Sequence, residues 1–264
     1  MNRFESRGFP SFKKPPVIEV VCGIGFEKLT DFRANHVGLF WQKVQDEFPE
    51  CEHAVRLGAA SPIDLANYLP RVWFINQEQN KLIQIQDNMF FFNWRRMKET
   101  EPYPRYKTII KSFKANFKVF QEFLKEESLG SVTPESCELT YINHIPRNEG
   151  WESLSGIDGV FRDFAWVSPK GRFLPEPRNL SGQISFPLPE DKGSLTFKLE
   201  HGKRRSDDCP LLILHNSARG LGESKAVEDV WDWFEIAHEW IVRGFADITS
   251  PKIQKSVWQR MDTD

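Results

Sequence analysis

Two polar segments carry most of the chemistry open to this chain. One runs Asn93-Trp94-Arg95-Arg96 and resumes at Tyr103-Pro104-Arg105-Tyr106; the other is His215-Asn216-Ser217-Ala218-Arg219-Gly220. A guanidinium grips a carboxylate or phosphate in a fork, while Asn and His supply directional donors and acceptors. Each segment is read as lying between a strand and a long helix, and a helix N-terminus favours an anion. The expected ligand-binding set is therefore Asn93, Arg95, Arg96, Tyr103, Tyr106, His215, Asn216 and Arg219. The plainer role for the same side chains is to cap the helices and tie the loops to the sheet. Tyr141-Ile142-Asn143-His144, read as the end of another strand, adds Asn143 and His144. His144 is of the general-base or metal-ligand type, and its plainer role is that of a hydrogen-bonded strand-end histidine.

A second candidate surface is a stripe of like charge. Lys107, Lys111, Lys114 and Lys118 recur at helical spacing, next to Phe90-Phe91-Phe92, whose rings are of the kind that stack on bases. This supports an alternative reading as a nucleic-acid-binding protein. Against it, neighbouring residues of a strand alternate faces, so some of those Phe must be core, and a lysine stripe is commonly a solvated helix face. A net charge of -2 gives no global pull toward nucleic acid or anionic membrane.

Catalytic signatures are sparse. No G-x-S-x-G, P-loop or G-x-G-x-x-G occurs, and Gly23-Ile24-Gly25 is only a fragment. Glu235-x-x-His238 lacks the further inward carboxylates of a di-iron site, and His238 continues an apolar stripe, which makes it a partly buried structural histidine. The four cysteines are widely spaced with no C-x-x-C, and Cys22 and Cys137 lie in apolar runs. No metal or cofactor is expected. A hydrolase or nuclease using His144 or His215 stays open as an alternative.

These residues need a scaffold, and the apolar pattern supplies one. With 40% hydrophobic residues and 22 Phe, the chain can bury an aromatic-rich core. Val17 to Phe26 reads as a strand, followed by a helix capped by Asp31 and closed by Pro49. Cys51 to Pro70 reads as a polar connector. Three strands follow (Arg71 to Asn76, Leu82 to Gln86, Met89 to Trp94), then a helix with Ile110, Phe113, Phe117, Phe120 and Leu124 on one face. The second half repeats the order: Glu138 to Ile145 as a strand, a weak helix within Trp151 to Trp166, and strands at Gly182 to Phe186, Ser194 to His201 and Leu211 to Asn216. A long helix opened by Ser224 completes it. A shift of 121 positions lays Lys107, Lys111, Lys114 and Lys118 on Glu228, Asp232, Glu235 and Glu239, and Phe113 on Phe234.

The expected fold is α+β: a duplicated strand-helix-strands-helix unit forming one curved antiparallel sheet with helices on one face, similar to the TATA-binding-protein-like topology. A helix-grip fold is the alternative. The units fall at 17–130 and 131–250, between an N-terminal arm over 1–16 and a C-terminal tail over 251–264. Opposite charge on equivalent helices points to self-complementarity, within one molecule or between two.

Pro16-x-x-Glu19-Val20, Asn93-Trp94-Arg95, Tyr103-Pro104-x-Tyr106, Tyr141-Ile142-Asn143-His144, Ala218-Arg219-Gly220 and Trp233-Phe234-x-x-Ala237-His238 together resemble a sporadically distributed, uncharacterised bacterial family of about this chain's length. The resemblance implies a bacterial cytoplasmic protein of an accessory or defence-type locus. It implies no reaction, cofactor or catalytic residue. Cytoplasmic placement also fits the cysteine usage, and neither a signal peptide nor a membrane span is evident. The leading expectation is a non-catalytic binding module for a protein partner or an anionic ligand.

Overall fold

Alternation of period two shapes this protein. Val20, Cys22, Ile24 and Phe26 leave the first strand on one side and are fully buried. The same alternation recurs at Phe90, Phe92 and Trp94 and at Cys137, Leu139 and Tyr141. A computed structural model describes residues 9–58, 69–166, 171–223 and 226–261. Its elements begin with β1 (Val17–Phe26), α1 (Ala34–Val44), β2 (Glu50–Ala54), β3 (Arg71–Ile75), β4 (Lys81–Gln86), β5 (Met89–Arg95) and α2 (Tyr106–Glu126). They continue with β6 (Pro134–Pro146), a 3-10 turn at Leu154–Gly159, β7 (Ser181–Pro187), β8 (Ser194–Lys203), β9 (Pro210–Gly220), α3 (Val227–Ile248) and α4 (Pro251–Ser256). All nine strands form one antiparallel sheet in the order β2-β3-β4-β5-β1-β6-β9-β8-β7, and the long helices lie on one side of it. The protein is α+β, with two long helices rather than the single terminal helix of a helix grip.

The core between helices and sheet is aromatic. Phe90 of β5 meets Phe113, Phe117 and Phe120 of α2 with ring centroids 6.1, 5.5 and 5.1 Å away. Phe40 of α1 reaches Phe74, Phe90 and Phe120 from the side. Each fully buried Phe contributes about 1.5–3 kcal/mol relative to an exposed one. The two long helices meet at Phe113, which touches Phe234 at 5.4 Å and Trp231 at 5.8 Å. At the far side α3 comes so close to β8 that a Cβ on Gly244 would lie 2.7 Å from the Phe197 ring.

Several boundaries differ from the sequence reading. Asp31 does not cap α1: the helix begins at Ala34, where the Arg33 backbone N–H donates to His36 Nδ1 at 2.9 Å. The helix ends at Val44, before Pro49. Within the supposed connector, Glu50–Ala54 is an edge strand paired with β3. The weak helix of the second half is only the 3-10 turn. Ser224 lies outside the described residues, and α3 runs from Val227.

Residues 251–261 pack against the body of the fold. Trp258 is buried against Phe12 and Phe245, with centroids at 6.3 and 5.0 Å. The arm is held there by Lys13 N–H to Gln259 O and Lys14 N–H to Trp258 O, both 3.0 Å. Among the described residues no helix is long and apolar enough to cross a membrane.

Candidate functional site

The second polar segment is strand throughout, and the first divides: Asn93 to Arg95 close a strand, Arg96 and Tyr103 to Arg105 lie in the connection that follows, and Tyr106 opens α2. Asn93, Trp94 and Arg95 belong to β5, and His215 to Gly220 all lie within β9, which pairs with β6 on one side and β8 on the other. Tyr141 to His144 likewise sit inside β6 rather than at its end. The physical reason is pairing on both flanks: a polar strand between two partners satisfies its backbone whatever its side chains are. Because strand residues alternate, the expected set divides between the two faces of the sheet. Tyr141, Asn143 and Asn216 face the helices, while Asn93, Arg95, His144, His215 and Arg219 face the other way.

On the helix side, a cavity of about 240 Å³ lies beneath the N-terminal arm, lined by Phe9 to Phe12, Tyr103, Tyr106, Tyr141, Asn143, Asn216 and His238. His238 stacks on Tyr106 with centroids 3.8 Å apart and planes 10° from parallel. Tyr103 donates to the Tyr141 hydroxyl at 3.3 Å, and Tyr141 in turn lies 3.0 Å from His238 Nδ1. Burial pushes the His238 pKa down to about 4 and the Tyr141 phenol well up, so both are neutral at physiological pH. The neutral ring of His238 and the Tyr141 hydroxyl are thus joined by a hydrogen bond between uncharged groups. Tyr106 donates to Glu235 at 3.0 Å. Asn143 Nδ2 donates to Leu214 O at 3.1 Å, whereas Asn216, only 2% exposed, has its Oδ1 without a partner.

At one end of the sheet β1 begins, β5 and β6 end, and β9 begins. An open cleft of about 1120 Å³ lies there, lined by Ile18, Arg96, His144, Pro146 and Leu211 from the strand ends. The loops around it bring Lys13, Lys14, Lys98, Arg105, Arg204 and Arg205, against Glu99, Glu101 and Glu149. Much of the acid is already engaged. Glu99 pairs with Arg204, and Glu101 accepts from Asn80 Nδ2 at 2.7 Å and from the Met97 N–H at 3.0 Å. Burial pushes the Glu149 carboxyl up, toward neutrality. Among the described residues no carboxylate pairs with Lys13, Lys14, Lys98 or Arg205. Burial lowers the Arg96 pKa, and burial with the nearby His215 and Arg204 charges lowers that of His144. Four walls, Pro15, Pro16, Tyr103 and Arg105, are common to this cleft and the cavity.

The remaining expected residues are tied into the sheet. Arg71 donates to Gln84 at 2.9 Å, Gln84 to Asn93 at 2.6 Å and Asn93 to Glu19 at 2.6 Å, a chain crossing β3, β4, β5 and β1. Burial raises the Glu19 pKa, an effect that Asn93 and Arg95 partly offset. Arg95 donates to Gln79 O at 3.2 Å, and Arg219 pairs with Glu138 at 3.1 Å. The register sets Arg95 opposite Glu19 on β1 and Arg219 opposite Glu138 on β6, so they do not converge on one ligand. His215 lies 3.6 Å from Glu200 and neither it nor His144 bonds a hydroxyl or thiol among the described residues. Nothing there assembles a nucleophile and base, and no group able to hold a metal is found among the described residues.

The two long helices meet through rings, Phe113 and Phe117 of α2 against Trp231 and Phe234 of α3, and among the described residues no ion pair joins the lysine stripe to the acidic one. Lys114 lies over the Trp231 ring at 4.9 Å, and Lys118 pairs with Glu122 of its own helix. Phe90 and Phe92 are core, and Phe91 covers Gly23 on the other face, so this triplet offers no ring to a base. Two clusters were missed as site residues. Lys13-Lys14 and Arg204-Arg205 were visible as basic runs, in the arm and the β8–β9 hairpin, but nothing local says they meet. His238 was read as structural, and its position facing a cavity was not legible. Compared with protein-family models and with curated proteins, the chain matches none.

Proposed function

We propose that this protein is a non-catalytic binding module whose strand-end cleft holds an anionic ligand. The observation that carries this is the charge of the cleft: seven Lys and Arg against three Glu, with four of the cations lacking a carboxylate partner among the described residues and two of the acids engaged. Keeping unpaired like charges together costs free energy that solvent and salt only partly relieve, and a bound anion returns it. The β5–α2 connection that forms one wall also presents the N-terminus of the 21-residue helix α2 nearby, beside Arg105.

We also propose that the scaffold is a duplication with a TATA-binding-protein-like order. Reading outward from the β1–β6 pair gives β5-β4-β3-β2 on one side and β9-β8-β7 on the other. A long helix follows β5 and another follows β9. Phe113 and Phe234, equivalent under the shift of 121 positions, touch each other, as residues on a pseudo-dyad must. The bacterial cytoplasmic setting, in an accessory or defence-type locus, is proposed on the family resemblance alone.

Isothermal titration of the full chain with inorganic pyrophosphate tests the binding site. Saturable binding that weakens with added salt is expected. Reversal at Lys13→Glu or Lys98→Glu is expected to cost about tenfold each, or about 1.4 kcal/mol. No binding at low ionic strength, or binding indifferent to both reversals, refutes the reading.

A further inference from the structure

The cavity beneath the arm names the class of ligand, an inference that rests on the anion-binding reading of the cleft. Its volume of about 240 Å³ exceeds the ~150 Å³ that accommodates a benzene ring and falls short of the ~300 Å³ at which drug-sized pockets begin. One ring or two fused rings fit. The walls favour a flat guest, since the parallel Tyr106 and His238 rings line it together with Phe9 and Phe12. Hydrogen-bonding capacity in the lining is mostly committed. Tyr141 accepts a hydrogen bond from Tyr103 and shares another with His238 Nδ1, and Asn143 Nδ2 donates to Leu214 O.

What stays open among the described residues is the side-chain amide of Asn216, at both its Oδ1 and its Nδ2, together with Nε2 of His238. Asn216 Oδ1 is buried and unpartnered in the lining. A guest that donates an N–H there would satisfy it, while a guest of the same shape without a donor would leave it unpaired, a difference of about tenfold in affinity. The guest is thus a compact planar ring whose edge carries both an N–H donor and an acceptor, to meet the two ends of the Asn216 amide. Its other end is indicated by Arg105, which lines both the cavity and the cleft and stands beside the cations of the cleft that have no carboxylate partner among the described residues.

We propose that the ligand is a nucleotide. Its base occupies the aromatic cavity and donates to Asn216 Oδ1, its sugar crosses at Arg105, and its phosphates lie in the cleft near Lys13 and Lys98. No covalent step is involved.

Titration calorimetry on the full chain tests this with the four ribonucleoside 5′-diphosphates, the four nucleosides and inorganic pyrophosphate. At least one diphosphate is expected to bind ten times or more tighter than pyrophosphate, and to be displaced by pyrophosphate and by its own nucleoside. Asn216→Leu is expected to bring that diphosphate down to the pyrophosphate level while leaving pyrophosphate binding intact. Displacement by both fragments reads the same bridging on the unaltered chain. Pyrophosphate binding with no nucleotide preference overturns the inference and leaves the anion reading standing. Absence of binding by pyrophosphate and by all four diphosphates overturns both.

Discussion

His238→Phe separates the titration of a buried imidazole from its packing. The ring stacks on Tyr106, faces Phe9 at 5.4 Å, and is hydrogen-bonded to Tyr141; Glu235 bonds the Tyr106 hydroxyl and Arg243 lies over the Phe9 ring. Burial holds its pKa at about 4 against an ordinary 6.5. The folded value lies below the unfolded one, so between these limits the unfolded chain takes up a proton that the native ring refuses. The stability due to this group is therefore complete above about pH 6.5 and falls as pH drops toward about 4, by about 3 kcal/mol in all. Phenylalanine keeps a flat ring on Tyr106 but removes the hydrogen-bond partner of the Tyr141 hydroxyl, at a cost of about 1 kcal/mol near neutrality. The two proteins should therefore cross: the variant is the less stable near pH 7 and the more stable by about 2 kcal/mol near pH 4. Burial also lowers His144 and His215, and their contributions cancel in the difference. Urea unfolding followed by tryptophan fluorescence at a series of pH values measures it. Parallel stability curves would refute the assignment of a buried neutral imidazole.

Three further outcomes are expected. Phe120→Ala removes a fully buried ring that touches Phe26, Phe32, Phe40 and Phe90, and should cost about 3–5 kcal/mol in urea unfolding. Arg56→Ala breaks the pair between Arg56 and Asp87, whose side chains are 9% and 6% exposed, and should cost about 3 kcal/mol; Lys43→Ala at the exposed Lys43–Glu126 pair should leave the urea midpoint unmoved. Duplex DNA should give no mobility shift through the Lys107 to Lys118 face even at low salt, because Lys118 pairs with Glu122, Lys114 lies over the Trp231 ring and Phe90, Phe91 and Phe92 are buried, and a shift abolished by Lys111→Glu with Lys118→Glu would contradict this.

Elements with a buried face were legible in the chain, and those without one were not. Phe113, Phe117, Phe120 and Leu124 mark α2 because their period buries one stripe, and Leu82 to Trp94 marks the β4–β5 hairpin in the same way. Glu50–Ala54 gives no such signal: β2 is an exposed edge strand held by its backbone to β3. β9 was cut short at Asn216 for a related reason. Its continuation through Ser217 and Arg219 presents polar groups to the face away from the helices, and only the partners on both sides make it a strand.

The same distinction governs the site. Asn143 and His144 are neighbours in the chain and face opposite sides of the sheet, so one reaches the aromatic cavity and the other the basic cleft. Residue type was therefore a fair guide to what can bind, and a poor one to what binds together. The cleft draws its cations from three places far apart in sequence: the arm, the β5–α2 connection and the β8–β9 hairpin. They meet because β1 pairs antiparallel with both β5 and β6, and β6 with β9, which sets the start of β1 and β9 beside the ends of β5 and β6. No local pattern encodes that convergence. It follows from register, and a one-residue slip of β6 against β1 would exchange Asn143 with His144 and dismantle cavity and cleft at once.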